Sequence, residues 1–100
     1  MTNEKVNAVL VWFQKHFEDA GYSPARADPD AHHLTPNQWR KHILWMAIEA
    51  QTFPAEKLEK KMRWLGFIQG NVARGDSFTI NELKKQNMPD EEKTDAKPEG

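Results

Sequence analysis

The sequence predicts an all-α fold, a small bundle of three main helices with a short fourth one near the C-terminus. Apolar residues recur at three- and four-residue spacing through long stretches, and two threonine-led capping boxes mark helix starts. Glycine and proline fall at the edges of the periodic runs, where helices stop. A chain of 100 residues fits a single domain with one modest core.

The first helix is expected over residues 3 to 20, because Val6, Val9, Leu10, Phe13 and Phe17 fall on one stripe. Gly21 ends it, since glycine enters the left-handed conformation of a helix stop at little steric cost. Residues 22 to 34 hold Pro24, Asp28, Pro29 and Asp30 and show no period, so they form an irregular connection. Thirteen residues is long for such a link, which makes it either mobile or a binding element.

The second helix is expected over 36 to 51. Thr35 caps it, Pro36 fits the first helical position, Gln38 completes the capping box, and Leu34 with Trp39 forms a hydrophobic staple. Trp39, Ile43, Met46, Ala47 and Ala50 share one face, while Leu44, Trp45 and Ile48 lie roughly opposite. A helix apolar on both sides is either sandwiched or covered by a partner.

Phe53-Pro54 breaks the pattern and opens a third helix over 54 to 73, with Leu58, Met62, Leu65 and Val72 as core stripe and Trp64, Phe67 and Ile68 widening it. Gly66 and Gly70 each cost about 1 kcal/mol relative to alanine inside a helix, and the close approach of another helix would account for them. After Gly75, the box Thr79-Ile80-Asn81-Glu82 predicts a short helix over 80 to 87, and residues 89 to 100 are expected to be a disordered acidic tail. The single helical domain therefore spans 1 to 88.

Charge and composition narrow the function. Residues 36 to 88 carry nine Lys/Arg against five Asp/Glu and residues 89 to 100 two against five, a mildly basic body with an acidic end. That basicity is far below the footprint of a dedicated nucleic-acid binder. No run approaches the roughly 20 apolar residues of a membrane span, and the N-terminus lacks signal-peptide character, so a cytoplasmic location is expected. Without cysteine there is no disulfide, thiolate nucleophile or Cys-based zinc site.

Catalytic patterns are missing. Ser23 and Ser77 lie outside any Gly-x-Ser-x-Gly context, and the glycines form no phosphate loop. His32, His33, His42, Asp28 and Asp30 lack the one-turn spacing that puts two imidazoles on one helical face. Glu56, Lys57, Glu59, Lys60, Lys61 and Arg63 make a solvated, salt-bridged face through i,i+4 pairs. The last two helices make a poor helix-turn-helix, with only Asn81, Lys84, Lys85 and Gln86 to read bases. No enzyme activity, cofactor or metal is expected.

Four tryptophans and five phenylalanines exceed the needs of so small a core, and such side chains anchor protein interfaces. Trp39 and Trp64 are assigned to the core, and Trp45, Ile48 and Phe67 to a partner or a second copy of the chain. With Leu44 and Trp64 at its margin, the candidate partner-binding set is Leu44, Trp45, Ile48, Trp64 and Phe67. Slow isomerisation at Ser23-Pro24 and Phe53-Pro54 adds a host prolyl isomerase to the expected partners.

The stretches His33-Leu34-Thr35-Pro36-Asn37-Gln38-Trp39, Arg63-Trp64-Leu65-Gly66-Phe67-Ile68-Gln69-Gly70 and Phe78-Thr79-Ile80-Asn81-Glu82-Leu83 resemble small accessory proteins encoded by temperate phages of enteric bacteria, the anti-RecBCD proteins of P22-like phages among them. The resemblance covers roughly residues 33 to 88 and rests on helix-start and helix-packing patterns, so it transfers no catalytic residue. It implies a protein of the host cytoplasm that binds the RecBCD helicase-nuclease, with RecC as the expected contact, and alters its processing of DNA ends. The alternative is a small helical phage protein that binds DNA or modulates transcription.

One consequence is local. Thr35→Ala should lower stability by about 1 kcal/mol through the lost cap, measured by chemical denaturation, and an unchanged midpoint would mean that the box does not hold the helix start.

Overall fold

The computed structural model describes residues 1–75 and Asn87. Helix α1 runs Asn3–Asp19, α2 runs Pro36–Gln51, a single 3-10 turn covers Ala55–Lys57, and α3 runs Leu58–Gly75. The fold is all-helical, and no strand occurs among the described residues. The helix expected at 80 to 87, apart from Asn87, and the tail expected at 89 to 100 lie outside the described residues.

Local chemistry sets the ends. Thr2 caps α1 by accepting the Lys5 N–H at 3.1 Å. At the other end Gly21 sits at φ +95°, its N–H donates to the Glu18 carbonyl at 2.9 Å, and the Tyr22 N–H donates to the Phe17 carbonyl at 3.0 Å. These paired bonds form a Schellman stop, and the Tyr22 ring meets Phe17 edge-on at 6.1 Å as its hydrophobic contact. The α2 capping box is complete: Thr35 Oγ1 accepts the Gln38 N–H at 3.1 Å, and Gln38 Oε1 accepts the Thr35 N–H at 2.8 Å. After Thr52 caps α2, Pro54 starts the 3-10 turn, whose Lys57 N–H donates back to the Pro54 carbonyl at 2.8 Å. The third helix therefore begins with a tighter turn, and it continues to Gly75.

The core is built from Val6, Val9, Leu10, Phe13 and Phe17 of α1, Ile43, Leu44, Met46, Ala47 and Ala50 of α2, and Leu65, Ile68 and Val72 of α3. Helix α2 is the middle member, packed against both neighbours, while α1 and α3 touch each other sparingly. Its two apolar sides are thus largely explained by sandwiching.

Four expectations change. Leu44, a partner-binding candidate, is fully buried, because it points into the side of α2 that a neighbour covers. Met62, placed on the core stripe, is 38% exposed, whereas Ile68, one flank over, is wholly buried. Gly66 and Gly70 face open space, with nothing within 4 Å of a built Cβ among the described residues, so the close helix approach expected there is not seen. Lys61, assigned to a solvated face, is only 1% exposed.

That lysine is the main polar tie inside the bundle. Its ammonium donates to Asn3 Oδ1 at 2.7 Å and Asn7 Oδ1 at 3.0 Å, one turn apart on α1. Two amide oxygens replace the water that burial removes, and no buried side-chain nitrogen or oxygen among the described residues lacks a partner. A second tie is the reciprocal amide pair between half-buried Asn87 and Gln69, at 2.9 and 3.0 Å, which brings the chain back beside α3.

Lys61→Ala should cost about 2 to 3 kcal/mol in denaturant melts, from lost packing and two unpaired amides, and Lys61→Met should cost less because it refills the volume. Equal stability of both variants and the parent would place this ammonium in water.

Candidate protein-docking face

The ring-bearing side chains of α2 and α3 meet along one seam. Trp39, His42 and Trp45 follow one another at three-residue intervals on α2, Trp64 and Phe67 do so on α3, and Phe53 comes from the link between the helices. This spacing produces a continuous row of six rings. Phe67 lies 6.5 Å from Trp39, Trp39 6.1 Å from His42, and His42 5.6 Å from Trp45, nearly parallel at 23°. Trp45 then lies 5.9 Å from Trp64, which takes Phe53 edge-on at 4.8 Å. Centroid separations of this size are those of favourable aromatic pairs.

Burial changes along the row. Trp45, Trp64 and Phe53 are half-buried and packed on the core, while Trp39 is 37% and Phe67 46% exposed. The inner rings anchor the outer ones, so a large apolar area is presented at little further loss of side-chain freedom.

The connection before α2 walls this seam. Its backbone is pinned to α2 twice: the Ala25 N–H donates to the Lys41 carbonyl at 3.2 Å, and the Ala27 N–H donates to His42 Nδ1 at 3.0 Å. Tyr22 is tied in as well, donating to Asn37 Oδ1 at 3.2 Å and accepting from Arg40 Nη1 at 3.4 Å. Between this connection and the rings lies an open cleft of about 390 Å³, whose walls include Asp28, Pro29, Trp39, Trp45, Trp64 and Phe67.

Of the candidate residues, the cleft gathers Trp45, Trp64 and Phe67. Ile48 is half-buried against the core and Leu44 is fully buried in it, and neither lines the cleft. Trp39, expected in the core, belongs instead to the exposed end of the row. His42, considered above only for metal binding, joins two tryptophans. The i,i+3 run of rings on α2 carried the signal for both, whereas the contribution of residues 25 to 29 depends on how the connection folds back. Trp12 is 43% exposed on α1 and stacks on His16 at 5.3 Å, apart from this seam.

No group of three or more His, Cys, Asp or Glu among the described residues could hold a metal ion, and no described helix is long and apolar enough to cross a membrane. In comparisons with known proteins, the chain matches no family model, no curated sequence and no solved structure.

His42 makes the face sensitive to acid. Partial burial, reinforced by repulsion from Arg26, holds its imidazolium below the ordinary histidine range. Accepting the Ala27 N–H requires an unprotonated Nδ1. A depressed folded-state pKa contributes stability that is present above the unfolded value near 6.5 and is lost as pH falls through the folded value. The melting temperature should therefore drop between about pH 7.5 and pH 5 more steeply in the parent than in His42→Asn, whose amide oxygen can replace the acceptor without titrating. Parallel slopes would remove His42 from the acid response.

Proposed function

We propose that this chain is a non-catalytic docking protein that acts by seating the Trp39–Phe67 end of its aromatic seam on a protein partner. The observation that carries this reading is the union of two exposed rings with four half-buried ones along the surface of two packed helices. Interfaces draw most of their energy from a few such aromatic anchors, ringed by contacts that exclude water. The cleft is open, so it would leave much of a small molecule in water, whereas a protein surface laid over it can cover the rings that flank it.

The resemblance to phage accessory proteins supplies the candidate partner, the host RecBCD helicase-nuclease with RecC as the contact, in the host cytoplasm. On this reading the chain alters the processing of DNA ends by occupying a surface of the enzyme, and it performs no chemistry of its own. Binding through apolar contact should persist as salt is raised within the range RecBCD tolerates, unlike binding driven by phosphates.

Purified RecBCD and three variants test the proposal. Trp39→Ala and Phe67→Ala should each weaken binding by about 2 kcal/mol, a factor of roughly 30, with melting close to the parent. Leu65→Ala, whose side chain is buried in the core, should destabilise the fold by about 2 to 5 kcal/mol. Undiminished affinity of both ring variants, or binding of the chain to duplex DNA in place of RecBCD, would overturn the proposal.

A further inference from the structure

We infer that the cleft between residues 25 to 32 and the aromatic seam receives an arginine side chain from the protein partner, and that Arg26 fills that place in the free chain. The inference rests on the docking proposal and names the chemistry of the group that docks.

Arg26 is the first ground. Its guanidinium carbon stands 5.2 Å from the Trp45 ring centroid, a cation–π arrangement inside the cleft. Cations are a habit of this molecule's rings: Lys60 Nζ lies 4.6 Å over Phe53 at the far end of the row, and the Arg40 guanidinium lies 6.0 Å from Tyr22.

Charge is the second. When Arg26 is counted as occupant rather than wall, Asp28 is the one carboxylate in the cleft lining among the described residues, and none of the other described lining residues is Lys or Arg. The remaining titratable lining is His32 and His42. What is left is an aromatic recess with a single carboxylate beside it, whose Oδ1 also accepts the Asp30 N–H at 2.9 Å; rings and carboxylate together complement a guanidinium, which stacks on rings and is more weakly hydrated than an ammonium.

The placement of Arg26 is the third. The hydrogen bonds at Ala25 and Ala27 fix the backbone on both sides of Arg26, while the Arg26 side chain is exposed. It also borders a second cleft on the other side of the connection, lined by Ala31, His33, Gln38 and Lys41 among others. Rotation of one side chain therefore vacates the recess without moving the main chain. An exposed cation–π contact is weak, so a partner arginine held by the surrounding interface displaces it readily.

The full chain can be titrated with two capped tripeptides, acetyl-Gly-Arg-Gly-amide and its lysine counterpart, following the four indole N–H resonances by NMR. The arginine peptide should shift Trp39, Trp45 and Trp64 and leave Trp12 in place. Arg26→Ala should bind it roughly two- to fivefold more tightly, from removal of a competing exposed cation–π contact. Asp28→Asn should bind it more weakly by a similar factor, and both substitutions lie on the exposed connection, away from the core. Unchanged affinity in Arg26→Ala, shifts centred on Trp12, or equal binding of the lysine peptide would each overturn the assignment. If RecBCD binding depends on Trp39 and Phe67 while the arginine peptide produces no response, the docking face stands and its arginine occupant is refuted.

Discussion

Everything in this structure depends on α2 being buried from two sides. Ile43 and Leu44 are adjacent in sequence and both inaccessible, as are Met46 and Ala47, so the covered arc of α2 is wider than the step of about 100° between neighbouring residues and is shared by the two other helices. With α1 on one flank and α3 on the other, the remaining strip of α2 is the one that carries Trp39, His42 and Trp45. These rings cannot withdraw further into so small a core. They lie against Trp64 and Phe67 of α3 instead, and the surface of the domain acquires its aromatic row as a by-product of how its central helix is held.

The irregular connection is positioned by the same constraint. Because α2 is central, its exposed strip offers an edge on which residues 22 to 34 can settle, and they do so through Ala25, Ala27 and Tyr22. His42 participates in the ring row and in the backbone tether together, so the aromatic surface and the wall of its cleft respond to one titration. The connection also brings the Arg26 guanidinium over Trp45, at 5.2 Å from the ring centroid. The free chain thereby covers part of the Trp45 ring with its own guanidinium.

Much of the fold was legible in the sequence because helix ends are local. The Thr35 to Gln38 box, the Gly21 stop and the break at Pro54 act through neighbours within a few residues, and the helix limits followed to within one or two positions, apart from the opening 3-10 turn. Less local features were hidden. Lys61 sits among Glu56, Glu59, Lys60 and Arg63, where a charge pattern reads as solvated, yet its acceptors lie 58 and 54 residues away on α1. The site divided in the same manner. Trp45 and Phe67 were visible as surplus aromatic area, with Trp64 as a core residue at its margin, but exchanging Trp39 for Leu44 required knowing which side of α2 each neighbour covers. The wall formed by residues 25 to 29 has no sequence period at all, since it is held by one bond to a backbone carbonyl and one to a histidine ring.

The central claim is that the Trp39–Phe67 end of the seam is a contact surface. Hydroxyl-radical footprinting of the chain, free and bound to RecBCD, addresses it directly, because Trp12 is similarly exposed on another part of the molecule and serves as an internal reference. The account predicts strong protection of Trp39 and Phe67 in the complex while Trp12 stays as reactive as in the free protein. Protection of Trp12 with unchanged Trp39 and Phe67 would contradict it.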